Sequence, residues 1–181
     1  MSIRCEIPEG ADLEAAARAF DEASNFDRLM RGTSEPPRIA FGRLYVYATE
    51  AEGVEDPELA EALESDPALR ADLRRLVEKT AILRLPRVAA ASAGTIMSRD
   101  GDGCRIRFQR SRAEPRQSYV IIELDDVQGA KTTSLFACDA ENRCRKFPLP
   151  EARDGVIQIL LEEDSELLRA LLDIKTEIFI R

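Results

Sequence analysis

The 181-residue chain has a net charge of −8, is 44% apolar and 33% charged, and contains no histidine. That apolar share supports a real core rather than disorder, and the acidic balance argues against direct nucleic-acid binding as the main activity. The missing histidine excludes Ser-His-Asp and Cys-His catalysis and any mixed Cys/His zinc site.

No apolar run approaches the ~20 residues needed to span a bilayer. The opening "MSIRCEIPEGADLE" has acids where a targeting signal would be basic and then apolar. The expected location is the cytoplasm, with no membrane association.

Residues 11 to 31 read as a helix, with Leu13, Ala17, Phe20, Ala23 and Met30 near helical spacing. Gly32 stands at the C-cap, and Pro36 and Pro37 break the chain. "RIAFGRLYVYATE" (38 to 50) has strand-forming residues, yet Phe41, Leu44, Tyr45 and Ala48 fit one helical face; helix is preferred because both neighbours are helical. The phrase Asp-Pro then occurs twice, at Asp56-Pro57 and Asp66-Pro67. Each Asp can cap a helix whose first residue is the following proline, where the missing N–H costs nothing. Two helices are expected, 57 to 64 and 67 to 83, with a kink between them and Pro86 ending the second. Leu69, Leu73, Leu76, Val77, Thr80 and Leu83 would face inward, and Arg70, Asp72, Arg74, Arg75 and Glu78 outward.

From about residue 88 the period changes from helical to alternating. In "GDGCRIRFQRSR", Cys104, Ile106 and Phe108 share one face and Arg105, Arg107 and Gln109 the other. "QSYVIIELDD" is apolar on both faces, as in a central strand. "TTSLFACD" and "CRKFPL" flank a hairpin turn, "DAENR". "DGVIQILLEED" reads as a strand, "DSELLRALLDI" as a short helix capped by Asp164 or Ser165, and "KTEIFIR" as a last strand. The fold class is therefore α+β: a helical N-terminal half, residues 1–87, followed by an antiparallel β-sandwich-like C-terminal half, 88–181, of five or six strands and one short helix.

Several stretches have a chemical reading beside a structural one. "RDGDG" (99 to 103) lacks most of a calcium loop's ligands and is better read as a β-turn leading into the Cys104 strand. Cys138 and Cys144 face each other across the hairpin, which permits a disulfide; a reducing cytoplasm favours two free thiols. The carboxylates of "EEDSELL" are accounted for by helix capping. Arg105, Arg107 and Arg116 form an anion-binding candidate, although pairing with Glu114, Glu123 or the acids at 162 to 164 is the plainer account. No catalytic, metal or cofactor site emerges, and the chain is read as a non-enzyme.

One stretch, "LYVYATEAEGVEDPELAEALESDPALRADLRRL", resembles the N-terminal region of bacterial anti-sigma factors. Leu44, Tyr45 and Tyr47 match the leucine-tyrosine start of a short helix. Asp66, Pro67, Ala68, Leu69, Arg70, Ala71, Leu73 and Leu76 match the helix that follows an acidic linker. The likeness covers residues 41–83. The zinc-binding His-and-Cys pattern of one anti-sigma class and its transmembrane helix are both missing. The resemblance implies a soluble, zinc-free regulator whose helices hold a sigma factor away from polymerase or promoter. The contacts would be Leu44, Tyr45, Tyr47, Leu59, Leu63 and Leu69, with Arg74 and Arg75 at the rim. Packing of these leucines into the chain's own core is the competing account. The alternative function is a ligand-binding or adaptor module that uses the Arg face of the β region.

Overall fold

Capping and proline placement account for the helices. The computed structural model describes residues 14, 15, 18–20, 22, 39–50, 56–88, 96–125 and 134–181. Helix α1 is Phe41–Thr49, α2 is Pro57–Ser65 and α3 is Pro67–Thr80. The Asp56 side chain accepts from the Leu59 N–H at 3.0 Å, capping α2. Asp66 Oδ1 accepts from the N–H groups of Ala68 and Leu69 at 2.8 and 3.2 Å, capping α3. Arg70 in α3 reaches back and donates to the Leu63 and Glu64 carbonyls, at 3.0 and 2.9 Å. A cation thus sits on the unpaired end of α2, so the kink is held from both sides. The helix expected over residues 11 to 31 lies largely outside the described residues. Within it Glu14, Ala15, Arg18, Ala19, Phe20 and Glu22 are helical, and the Phe20 ring lies 4.7 Å from that of Phe41.

The inward faces follow the 3.6-residue period: Phe41, Leu44 and Ala48 in α1, Leu59 and Ala62 in α2, and Leu69, Leu73, Leu76 and Val77 in α3 are buried. Asp72, expected on the outer face of α3, is buried as well and pairs with Arg75 at 3.3 Å. A carboxylate of that kind needs a cation to be tolerated.

Among the described residues, the rest of the chain forms two antiparallel four-stranded sheets beside one short helix, so the chain is α+β. One sheet has the order β1 (Leu83–Leu85), β8 (Glu177–Ile180), β5 (Ser134–Cys138), β6 (Cys144–Pro148). The other runs β2 (Ser98–Gly101), β3 (Cys104–Arg110), β4 (Gln117–Leu124), β7 (Val156–Glu162). A short helix, α4 (Glu166–Leu172), is capped by Ser165, whose Oγ accepts from the Leu168 N–H at 3.3 Å.

Both sheets and α4 contribute to one apolar cluster. It includes Leu85, Ile178 and Ile180 from the first sheet, Ile106, Val120, Ile122 and Ile157 from the second, and Leu168 and Leu171 from α4. The chain divides into two compact units, Met1–Thr80 and Ala81–Arg181.

Three local expectations need correction. The helix read as running to residue 83 stops at Thr80, and Leu83–Leu85 is a strand paired with β8. Its three residues alternate inward and outward, too few to register against the helical stripe before them. β2 was also hidden, because "SRDG" has no apolar alternation. It is set by an Asp-Gly turn that puts Gly103 at φ +78, a backbone that glycine adopts freely. β4 is central, but only one of its faces is buried; Tyr119 and Ile121 on the other are half-exposed.

Arg99, in β2, is 2% exposed. Its guanidinium donates to the carbonyls of Leu171 (3.1 Å), Asp173 (3.3 Å), Pro86 (3.0 Å) and Thr176 (2.5 Å). One side chain therefore joins the end of α4, the segment after β1 and the segment before β8. Burial lowers its pKa, and the acids Asp173 and Glu177 oppose that shift.

Candidate functional site

In the helical unit, α1 and the start of α2 enclose a hollow of about 220 Å³ lined by Gly42, Arg43, Val46, Tyr47, Asp56 and Leu59. Leu59 is fully buried, whereas Val46 is 38% exposed, so the hollow has an apolar base and an apolar wall that reaches solvent. Gly42 provides the opening: a Cβ there would meet nothing within 4 Å. Glycine inside a helix costs about 1 kcal/mol relative to alanine, so its effect here is to leave space.

The polar rim is a fixed ion cluster. Arg43 donates through Nη2 and Nε to the Asp56 carboxylate at 2.6 and 3.0 Å, and through Nη1 to Glu58 at 2.8 Å. The Arg43 hydrogen bond, and then the Leu59 N–H, hold the Asp56 carboxyl below its ordinary pKa; the same cluster raises that of Arg43. Burial pushes the Tyr47 phenol up, as expected for a ring set mostly into apolar surroundings.

The residues expected to contact a partner are divided by this geometry. Leu44, Leu59 and Leu69 are buried because they occupy the inward stripe of their helices. They form the core of the helical unit and present no free surface, except where Leu59 floors the hollow. Tyr45, Tyr47, Leu63 and Arg74 are half-buried. Arg75 is exposed and engaged with Asp72. Of the eight, Tyr47 and Leu59 line the hollow. Gly42, Arg43, Val46 and Asp56 complete it, and the sequence reading did not place them there; the glycine within "FGRLYVY" was the available signal.

In the β unit the arginine face is not a free cationic patch. Arg105 and Arg107 do share a face of β3, but Arg105 pairs with Asp100 and Arg107 with Glu123, each at 2.5 Å. Arg116 stands in the turn before β4. Arg107 lies opposite Ile121, five residues further along the chain, or roughly 17 Å at strand spacing. The three arginines do not converge.

Cys138 and Cys144, expected as free thiols, are joined in a disulfide across a directly opposed pair, with Cα atoms 4.0 Å apart. The turn between them explains the alignment. Asp139 Oδ1 accepts from the N–H groups of Glu141 and Arg143 at 2.9 and 2.8 Å, and Asn142 takes a left-handed φ of 61, which asparagine tolerates. Cys104 is a buried free thiol whose pKa is pushed up to about 12, first by burial and then by Asp125 and Asp102.

Among the described residues there is no group of three or more Cys, Asp or Glu side chains placed to hold a metal ion, and no helix long and apolar enough to cross a membrane. No protein-family model matches the chain, and no curated protein or solved structure matches it.

Proposed function

We propose that the protein is a non-enzymatic regulator that binds another protein through its helical unit, in the manner of a zinc-free anti-sigma factor. In this reading the N-terminal half is helical, and the two sheets pack as a β-sandwich-like body. The observation that carries the proposal is the hollow at Gly42. It is apolar at its base, has room for one apolar side chain of a partner, and is rimmed by oriented charges. Interfaces concentrate affinity where a buried anchor fills a pocket with polar groups around it. The acidic chain, at −8, suits a partner with a basic contact surface.

The test fills the pocket without touching the core. Gly42→Leu places a side chain in open space and removes a helix-weakening glycine, so the helical unit should be no less stable. Co-expression with each sigma factor of the host, followed by pull-down, should yield a complex with the wild-type chain. Gly42→Leu and Val46→Asp should each weaken capture by tenfold or more, about 1.4 kcal/mol. Undiminished capture by both variants, or no sigma factor retained by the wild type, refutes the proposal.

A further inference from the structure

Among the described residues, β7, an end strand of its sheet, is an unguarded edge. Leu124 N–H donates to the Gly155 carbonyl and Glu163 N–H to the Arg116 carbonyl, both at 2.8 Å. These two bonds fix the phase of the ladder: the odd-numbered residues of β7 turn their peptide groups toward β4, and the even-numbered ones turn theirs away. Val156 exchanges both of its outward bonds with Arg153 at 2.9 Å, and the Glu162 carbonyl accepts from the Ser165 N–H at 3.0 Å. Among the described residues, no protein group bonds the outward N–H and carbonyl of Gln158, those of Leu160, or the N–H of Glu162.

Sheet edges are ordinarily blunted by charge, proline or shortness. Of the other sheet's two end strands, β1 is three residues long and β6 has Arg145, Lys146 and Pro148. β2 is four residues long, and Asp102 just beyond it bridges to Arg84. β7 has neither charge nor proline from Val156 to Leu161, and Leu160 on its open face is 45% exposed. A hollow of about 500 Å³ lies beside its first half, lined by Pro150, Glu151, Arg153, Val156 and Gln158.

We infer that β7 is a strand-addition site for an extended segment of another protein, apolar at alternate positions and flanked by lysine or arginine. The open backbone groups supply the ladder, and the hollow takes one side chain of the incoming strand. Charge selects the occupant. Glu162, Glu163 and Asp164 are exposed at one end of β7, with Arg110 paired to Glu163 at 3.5 Å, and Glu151 and Asp154 are exposed at the other on either side of Arg153; both ends stay net acidic. A second copy paired antiparallel would set these two acidic ends against each other, and a parallel copy would align like with like. Both arrangements are repulsive, whereas a basic-flanked strand is attracted at both ends.

The probe is a capped synthetic peptide, Lys-Val-Thr-Val-Thr-Val-Lys, titrated into the full chain and followed by amide NMR. The peptide should shift the Gln158, Leu160 and Glu162 resonances and slow their hydrogen exchange. A glutamate-flanked version should bind about tenfold more weakly. Two N-methylated peptides, blocked at odd or at even positions, separate ladder formation from simple adhesion: only one should lose binding, because a strand pairs through one edge. Leu160→Pro removes an outward N–H and leaves the β4 ladder intact, so it should abolish binding with an unchanged circular dichroism spectrum. If that variant does not fold, the N-methylated pair still decides the matter. The inference is overturned if no peptide binds, if both N-methylated peptides bind like the parent, if the glutamate version binds equally well, or if sedimentation shows the chain dimerising through β7.

Discussion

Arg99→Met removes a side chain that joins three segments of the β unit and retains most of its apolar stem. Four carbonyls, of Leu171, Asp173, Pro86 and Thr176, lose a cationic donor together. A buried acceptor left unpaired costs about 1–3 kcal/mol. Some of the four will regain water, and the variant no longer carries the desolvation penalty of a buried cation. The expected net loss is therefore about 3–5 kcal/mol, several acceptors at about 1–3 kcal/mol each less what water and the relieved burial of the cation return. Against a typical domain stability of roughly 5–15 kcal/mol, that is a third or more of the total for most of the range and nearly all of it at the low end.

The chain has no tryptophan, so urea unfolding should be followed by circular dichroism. Native-state hydrogen exchange of the β4 amides isolates the stability of the β unit itself. Arg99→Lys should fall between the two, since one ammonium cannot reach four carbonyls spread across a planar fork. A loss below about 1 kcal/mol for Arg99→Met would refute the view that this arginine holds the strand ends together.

Other perturbations test other parts of the structure. Asp56→Asn keeps the side-chain acceptor that caps α2 and loses the ion pair with Arg43, so it should destabilise the helical unit less than Asp56→Ala. Because the folded-state pKa of Asp56 is lowered, its contribution is present above the ordinary carboxylate range and lost as pH falls through the folded value. Thermal melts of wild type and Asp56→Asn should therefore converge in acid. Reducing the Cys138–Cys144 bond, which closes a loop of sequence separation 6, should cost about 2 kcal/mol on a loop-entropy basis; identical melts with and without dithiothreitol would contradict this. Gly101→Ala sets a methyl 2.5 Å from the Arg84 carbonyl and 2.7 Å from Leu85 Cγ, and should cost about 1–3 kcal/mol as overpacking, read from urea midpoints. With its pKa near 12 and its burial, Cys104 should resist iodoacetamide at pH 8 in the native protein and react only as urea unfolds the chain.

The capped helices and the hairpin were the most legible parts of the sequence. Asp56-Pro57, Asp66-Pro67 and Ser165 have local chemistry that no tertiary contact had to supply, and "DAENR" holds its turn through its own aspartate. β1 and β2 were not legible: a three-residue strand inside a leucine-rich stretch and a polar four-residue strand owe their form to partners far along the chain. The candidate site divides in the same way. Periodicity put Leu44 and Leu69 on the apolar faces of their own helices and the resemblance added Leu59, but neither said whether those residues met a partner or a core, and burial puts them in the core. Consequently a Leu59→Asp variant would unfold the unit rather than report on binding, and Gly42 is the informative position. The arginine pair on β3 was visible as alternation. Its pairing with Glu123 was expected as well; Asp100 was not, because it reaches Arg105 only through strand register.

The pairing of β1 with β8 has a consequence during synthesis. Residues 83–85 leave the ribosome early, yet their hydrogen-bonding neighbour is the segment at 177–180, which also separates β1 from β5 in the sheet. Until that late segment emerges, the earlier strands have an empty slot between them. A nascent chain halted short of Glu177 would thus expose sticky, half-built sheet, and release from that state would come as one late closing event.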